Sequence, residues 1–222
     1  MKPSKWKIAL SYVYDQLIET AESPYNEELY LLLVKGRYQL VTDKVIYSYE
    51  DKYDNFFDLF KVLKLKDVKS CLILGFGLGS IPVMLEKKFG LDIVYTGIEI
   101  DEEIVYLASK YVLDDLKSQV NLIQTDAESF MAFNEEEYDL ICSDIFINDE
   151  IPGFFKSIDF LESCKASLST RGMLLYNTLY LTEKDKLQSR AFFNDVFKNV
   201  FPKAKAYHCG NNLMLVSSDH GY

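Results

Sequence analysis

The stretch Cys71–Phe89, CLILGFGLGSIPVMLEKKF, constrains the fold more than any other. An apolar run stops at Gly75, Gly77 and Gly79, and a segment with helical spacing follows. Strand, tight turn and helix make the first half of a βαβ unit. Strands that are apolar throughout are those buried on both faces of a parallel sheet. The same alternation continues from Val68 onward. Strand candidates are VKSCLIL, DIVYTGIEI, VNLIQT, YDLICSDI and GMLLYNTL, with helical patterns near Ser80–Phe89, Glu102–Tyr111, Ala127–Phe133, Phe154–Leu168 and Lys184–Val200. The tail differs: Ala204–Cys209 and Leu213–Ser217 flank Gly210-Asn211-Asn212 and read as two strands joined by a tight turn. The pattern predicts an α/β fold, a doubly wound, Rossmann-like, mostly parallel seven-stranded sheet with an antiparallel last strand.

Residues 1 to 50 lack this rhythm. Leu29–Val34 and Arg37–Thr42 form a predicted hairpin about Lys35-Gly36, with a third strand over Val45–Tyr49. A helix is expected from Asp51 to Leu63, where Phe56, Phe57, Leu59, Phe60 and Leu63 recur at helical spacing. The expected division is a small N-terminal β-hairpin module over 1–50 and an α/β domain over 51–222.

The net charge of −10 repels nucleic-acid phosphates and anionic lipid, and favours cationic small molecules. No apolar stretch approaches the ~18 residues of a membrane span. The opening MKPSKWKIALSYVYDQ has no long apolar core, so no signal peptide is expected. Cys71, Cys142, Cys164 and Cys209 form no CxxC pair and read as buried, reduced thiols of a cytoplasmic protein. His208 and His220 have no metal-ligand spacing, so neither a metal site nor a histidine triad is expected.

Open α/β sheets bind ligands at the carboxyl ends of their strands. Gly75, Gly77 and Gly79 allow a backbone to approach a ligand, and equally make a mere tight turn. Ser80 stands where a dinucleotide fingerprint has its third glycine, and the GK[ST] of a P-loop is absent. Glu99, at the end of the second strand, can accept from both ribose hydroxyls, while Asp101 reads as a helix cap. Asp126 and Ala127 end the third strand, where a carboxylate and an amide can meet an adenine; a cap is the rival reading of Asp126. Asp144 ends the fourth strand, and it and Asp149 read either as site residues or as helix caps. No basic residue lies in these loops. An acidic rim disfavours a pyrophosphate and suits a nucleoside with a positive charge, such as the sulfonium S-adenosylmethionine.

Strand–GxGxG–helix, IEID, the DA pair and YDLICSD together resemble the class I S-adenosylmethionine-dependent methyltransferase fold. Within it the sequence is most similar to the spermidine synthases and their shorter relatives. The likeness runs from about Tyr30 to Leu179 and includes VYTGIEIDEEIVYLASKYV and EEEYDLICSDIFINDEIPGFFKSIDFLESCKASLSTRGMLLYNTL. By that resemblance Gly75, Gly77 and Gly79 line the amino-acid side of the nucleoside, Glu99 holds the ribose, and Asp126 and Ala127 meet the adenine. Asp144 matches the aspartate that deprotonates the attacking amine. Tyr47, Tyr49 and Glu50, with Asp149, are the candidates to close on the acceptor. Two departures stand out. The synthases carry an aspartate in the glycine loop, here Gly77-Leu78-Gly79-Ser80, and a second one three residues after the catalytic one, here Ile147.

The resemblance implies a transferase using S-adenosylmethionine or its decarboxylated form as co-substrate. It would move a methyl or aminopropyl group to a small, cationic amine. A non-catalytic module that binds a nucleoside or a partner is the alternative that the two departures favour. A dehydrogenase using NAD would need GxGxxG and a catalytic His or Lys, neither of which is evident. The tyrosine-rich N-terminal module suits either a homodimer interface, as in the resembling family, or a core or pocket role.

Overall fold

The computed structural model describes residues 3–42, 46–147 and 150–217. Two sheets organise them. A four-stranded antiparallel sheet has the order β1-β2-β3-β4, with β1 Gln16–Ala21, β2 Leu29–Val34, β3 Arg37–Val41 and β4 Ile46–Ser48. A seven-stranded sheet has the order β10-β11-β9-β8-β5-β6-β7. Its strands are β5 Ser70–Leu74, β6 Val94–Glu99, β7 Val120–Gln124, β8 Tyr138–Ser143, β9 Leu168–Leu179, β10 Lys205–Cys209 and β11 Asn212–Val216. Strands β5 to β9 run parallel; β11 is antiparallel to both β9 and β10. The expected fold is therefore present, with the last strand of the chain inserted between β9 and β10.

Side chains of a strand alternate between faces, and here both faces are apolar. Cys71, Ile73, Leu140, Cys142, Met173, Leu175, Met214 and Val216 enter one core layer. Leu72, Leu74, Ile141, Leu174, Tyr176, Leu213 and Leu215 enter the other. The first layer is covered by α2 Asp54–Phe60, α3 Ser80–Lys87 and α4 Glu102–Tyr111, and by Leu29, Leu31, Leu33 and Leu40 of the N-terminal sheet. The second is covered by α5 Ala127–Phe133, α6 Ile158–Ala166 and α7 Glu183–Phe192. Each leucine so enclosed contributes about 1.5–3 kcal/mol. Among the described residues no helix is long and apolar enough to cross a membrane.

Several expected elements differ in extent. The N-terminal sheet has a fourth strand, β1, preceded by α1 Lys5–Leu10. A register shift between Leu17 and Glu19 breaks the alternation that would mark β1, and α1 buries no residue. The expected helix over 51–63 is a 3₁₀ turn, Glu50–Lys52, followed by the shorter α2. The expected helix over 154–168 is a 3₁₀ turn, Gly153–Lys156, and α6, because Ser157 caps α6 by accepting from the Phe160 amide. Strand β9 begins at Leu168, before Gly172.

Candidate active site

The carboxyl ends of β5, β6, β7 and β8 meet at one cavity that opens to solvent.

The β5–α3 turn forms its floor. Gly75, Gly77 and Gly79 all have positive φ, at 82°, 57° and 81°. Gly75 also lies against the end of β8: a Cβ there would sit 2.3 Å from the Asp144 carbonyl oxygen. The amides of Gly75 and Phe76 both donate to the Ile98 carbonyl at 3.0 Å. The Phe76 ring folds inward over Gly97, where a Cβ would come within 2.3 Å of it. Leu78, 1% exposed, turns into the core. Gly75 and Gly77 line the cavity; Gly79 does not, because its missing Cβ faces the Phe76 ring.

Glu99 ends β6 and is buried. Its Oε2 accepts the Gly77 amide at 3.0 Å, and its Oε1 accepts the amides of Ile100 and Asp101 at 2.9 and 3.2 Å. Burial raises its pKa, and these three amides oppose the rise. Asp126 ends β7 and caps α5: its Oδ2 accepts from the Ser129 amide and hydroxyl at 3.0 and 3.1 Å. The cap does not remove it from the cavity, which both Asp126 and Ala127 line.

Asp144 follows β8, its amide bonded to the Leu74 carbonyl at 2.8 Å. Its Oδ1 accepts from Asn177 Nδ2 at 2.8 Å, and Tyr53 hydrogen-bonds the same carboxylate. Burial pushes Asp144 up to about 6, against the opposing pull of those two partners. The same burial, together with the nearby Asp144 charge, pushes the Tyr53 phenol well up, so it remains a donor at neutral pH.

The N-terminal segment covers the cavity. Tyr47 Oη donates to Asn26 Oδ1 at 2.9 Å, and Asn26 Nδ2 donates to Asp101 Oδ2 at 2.8 Å. Ser23 Oγ donates to that same oxygen at 2.5 Å, while Asp101 Oδ1 caps α4 through the Glu103 amide. Asp101 thus starts a helix and fastens the cover with one carboxylate. Tyr25, Asn26, Tyr47 and Tyr53 line the cavity from this side, and Ile145, Phe146, Ile147 and Phe155 form an apolar wall.

Tyr49 and Glu50 do not join Tyr47 there. Beyond β4 the chain leaves the extended conformation, Glu50 taking φ +37°. The Glu50 carboxylate turns back to the Tyr38 amide at 2.7 Å, and the Tyr49 amide goes to Ser80 Oγ at 3.0 Å. Asp149 lies outside the described residues. Residues that sequence reasoning did not single out complete the site: Asn26 and Tyr53 line the cavity, and Asn177 holds Asp144 from behind it. Tyr53 carried a local signal, an aromatic at the entry to α2, four residues beyond the one chosen.

No family model matches the chain. It is 27% identical over 135 residues to a probable polyamine aminopropyl transferase of Bifidobacterium longum, covering 61% of this chain and 29% of that protein. It is 28% identical over 150 residues to a polyamine aminopropyltransferase of Vibrio vulnificus, covering 65% and 48%. The matched region thus spans less than half the length of either relative. Among solved structures, a probable spermidine synthase from Corynebacterium glutamicum superposes with a TM-score of 0.72 at 17% identity, covering 91% of this chain and 80% of that one. Spermidine synthase from Thermotoga maritima gives 0.66 at 14%, covering 90% and 72%. Human methyltransferase-like protein 13 in complex with SAH gives 0.56 at 20%, covering 72% and 78%. In sequence the chain is similar to polyamine aminopropyltransferases, and in architecture it has the Rossmann-like methyltransferase fold that the solved spermidine synthases share.

Proposed function

We propose that the chain is an aminopropyltransferase, with decarboxylated S-adenosylmethionine as donor and a small amine as acceptor. The observation that carries this reading is the charge of the cavity. Glu99, Asp101, Asp126 and Asp144 line it, and no lysine or arginine does so among the described residues. A sulfonium and a primary ammonium suit such a lining. The carboxylate of intact S-adenosylmethionine would meet no cationic side chain there, which favours the decarboxylated donor over a methyl donor. The sequence relatives named for aminopropyl transfer agree.

In this reading Glu99 holds the ribose and Asp126 with Ala127 the adenine, while Gly75 and Gly77 let the nucleoside lie on the turn. Residues 1–50 act as the cover and 51–222 as the platform. The acceptor nitrogen enters between Tyr53 and Asp144. Its lone pair forms a bond to the methylene carbon on sulfur, the carbon–sulfur bond breaks, and the electron pair leaves with methylthioadenosine. Asp144, whose basicity burial raises, first takes from the acceptor ammonium the proton that masks this lone pair, and the product nitrogen remains a secondary ammonium. Alignment and exclusion of water supply most of the acceleration, since a sulfonium is already a good leaving group.

A second reading is a binding module without chemistry. It is favoured by the inward turn of Leu78 and by Ile147 on the wall. One experiment separates the two. The protein is incubated with decarboxylated S-adenosylmethionine and a panel of amines, and methylthioadenosine is measured by chromatography. In parallel, thermal unfolding is followed with that donor, methylthioadenosine, S-adenosylmethionine and NAD. A ligand at about 100 times its Kd stabilises by about 2.7 kcal/mol. Release of methylthioadenosine, with stabilisation by the first two ligands above the others, is expected. Stabilisation without release establishes the binding module; stronger stabilisation by S-adenosylmethionine overturns the choice of donor.

A further inference from the structure

We propose that Asp144 is aimed by a relay of two amides, in which Asn212 fixes the orientation of Asn177 and Asn177 holds Asp144. The inference rests on the transferase reading for its consequence, but its geometry stands independently. Asn177 Nδ2 donates to Asp144 Oδ1 at 2.8 Å, and Asn212 Nδ2 donates to Asn177 Oδ1 at 2.8 Å. Asn177 is 1% exposed.

An amide group has a donor end and an acceptor end, and half a turn about its last bond exchanges them. With the acceptor end toward Asp144, two oxygens would face each other in a buried place. With the donor end there, the carboxylate gains a charge-assisted hydrogen bond. Asn177 alone does not settle the choice when Asp144 is protonated, because a protonated carboxyl can donate to an amide oxygen. Asn212 favours the same orientation in both states, because its donor end occupies Asn177 Oδ1. The placement comes from the sheet. Asn177 pairs with Met214 and Leu179 with Asn212, so the two asparagines are diagonal neighbours on β9 and β11. Asn212 opens β11 directly after the Gly210-Asn211 turn, which brings it to the level of the active-site rim.

The other groups that face Asp144 do not duplicate this control. Tyr53 bonds the carboxylate from the segment before α2. Cys142, on the same strand, is kept protonated by burial. Glu99, Asp101 and Asp126 share the cavity, and no described lysine or arginine lines it. The hydrogen bond from Asn177 lowers the Asp144 pKa against burial, and the midpoint of about 6 includes its effect. Both asparagines are positioning residues: they touch neither donor nor acceptor, and act through Asp144.

The test is a carbon-13 titration of the Asp144 carboxyl in the full chain, its resonance assigned by its loss in Asp144→Asn. Three variants are compared with the parent. Asn177→Leu removes the donor; Asn212→Leu removes the lock; Asn212→Asp reverses the lock, favouring Asn177 with its oxygen toward Asp144. Asn212 is half-buried and beside a turn, so its variants are read even where Asn177→Leu fails to fold. Losing a hydrogen bond to a charged group is expected to raise the midpoint by about one unit. In Asn212→Asp the transfer rate falls at pH 6, with KM unchanged, and recovers as pH rises, because a base of raised pKa only needs a higher pH to ionise. An unchanged midpoint in Asn212→Asp overturns the relay. The titration needs no turnover, so it decides the relay even where the parent protein transfers nothing, and absence of turnover in the parent overturns only the functional reading.

Discussion

Ser80 Oγ lies 2.6 Å from Ser48 Oγ, and it also accepts the Tyr49 amide at 3.0 Å. The residue that opens the helix after the glycine turn therefore also helps to fasten the N-terminal sheet to the larger sheet. Both serines are buried. Ser80→Ala leaves the Ser48 hydroxyl and the Tyr49 amide without this partner, at a cost of about 1–3 kcal/mol. Urea unfolding should show a lower midpoint with unchanged slope. A double-mutant cycle with Ser48→Ala should be non-additive; simple addition of the two effects would show that the contact carries no energy.

The raised Asp144 gives two pH dependences of opposite sense. The proposed transfer needs the ionised carboxylate, so the rate should rise through about pH 6 and level above it. Stability runs the other way. Because the folded carboxyl binds its proton more tightly than the unfolded one, its contribution favours the folded state at low pH and declines as pH rises from the ordinary carboxylate range through about 6. In the proposed mechanism Asp144→Asn should lower the rate by about 10²-fold or more on the plateau above about pH 6 and remove the rise through that pH. It should also flatten that part of the stability profile while retaining methylthioadenosine affinity. A variant that turns over like the parent would remove Asp144 from the chemistry.

Gly75 and Gly90 both have positive φ, but only one has a neighbour in the way. At Gly90 an added Cβ meets nothing within 4 Å, whereas at Gly75 it meets the Asp144 carbonyl. Gly90→Ala should cost about 1–2 kcal/mol, the strain of a left-handed residue. Gly75→Ala should cost a further ~1–3 kcal/mol, because the end of β8 must move. Guanidinium unfolding of the two variants makes the comparison, and equal losses would contradict the close approach of β5 to β8.

Tyr47→Phe deletes the hydrogen bond to Asn26 in the cover and little else in volume. Loss of about 1 kcal/mol predicts roughly fivefold weaker methylthioadenosine binding by calorimetry. Unchanged affinity would place the cover outside the binding site.

Strands β5 and β8 were legible because both of their faces are buried, which makes each an apolar run, whereas β7, an edge strand with no buried residue, was legible from its place in the strand–helix alternation. The starts of α4 and α5 were legible because Asp101 and Asp126 are caps followed at once by helical sequence. Strand β1 was hidden by a bulge, and α1 by having no buried face. At the site, Glu99, Asp126 and Asp144 end strands of one parallel sheet, so topology alone brings them to one rim. Gly79, Tyr49 and Glu50 are a different matter: whether they reach the cavity depends on single backbone angles and on the Phe76 ring. The Asn26–Asp101 bond and the Asn177–Asn212 pair join residues far apart in sequence, through contacts that no local spacing announces.

Strand β11 follows the other described strands in sequence but lies inside the sheet, between β9 and β10. A growing polypeptide has the glycine turn, Glu99, Asp126 and Asp144 long before it has Asn212. Until then β9 has an open edge, and the carboxylate at its side has no second amide to set its aim. A chain that stops short of Asn212 thus carries the strand ends of the candidate site without the amide by which the proposed relay aims Asp144.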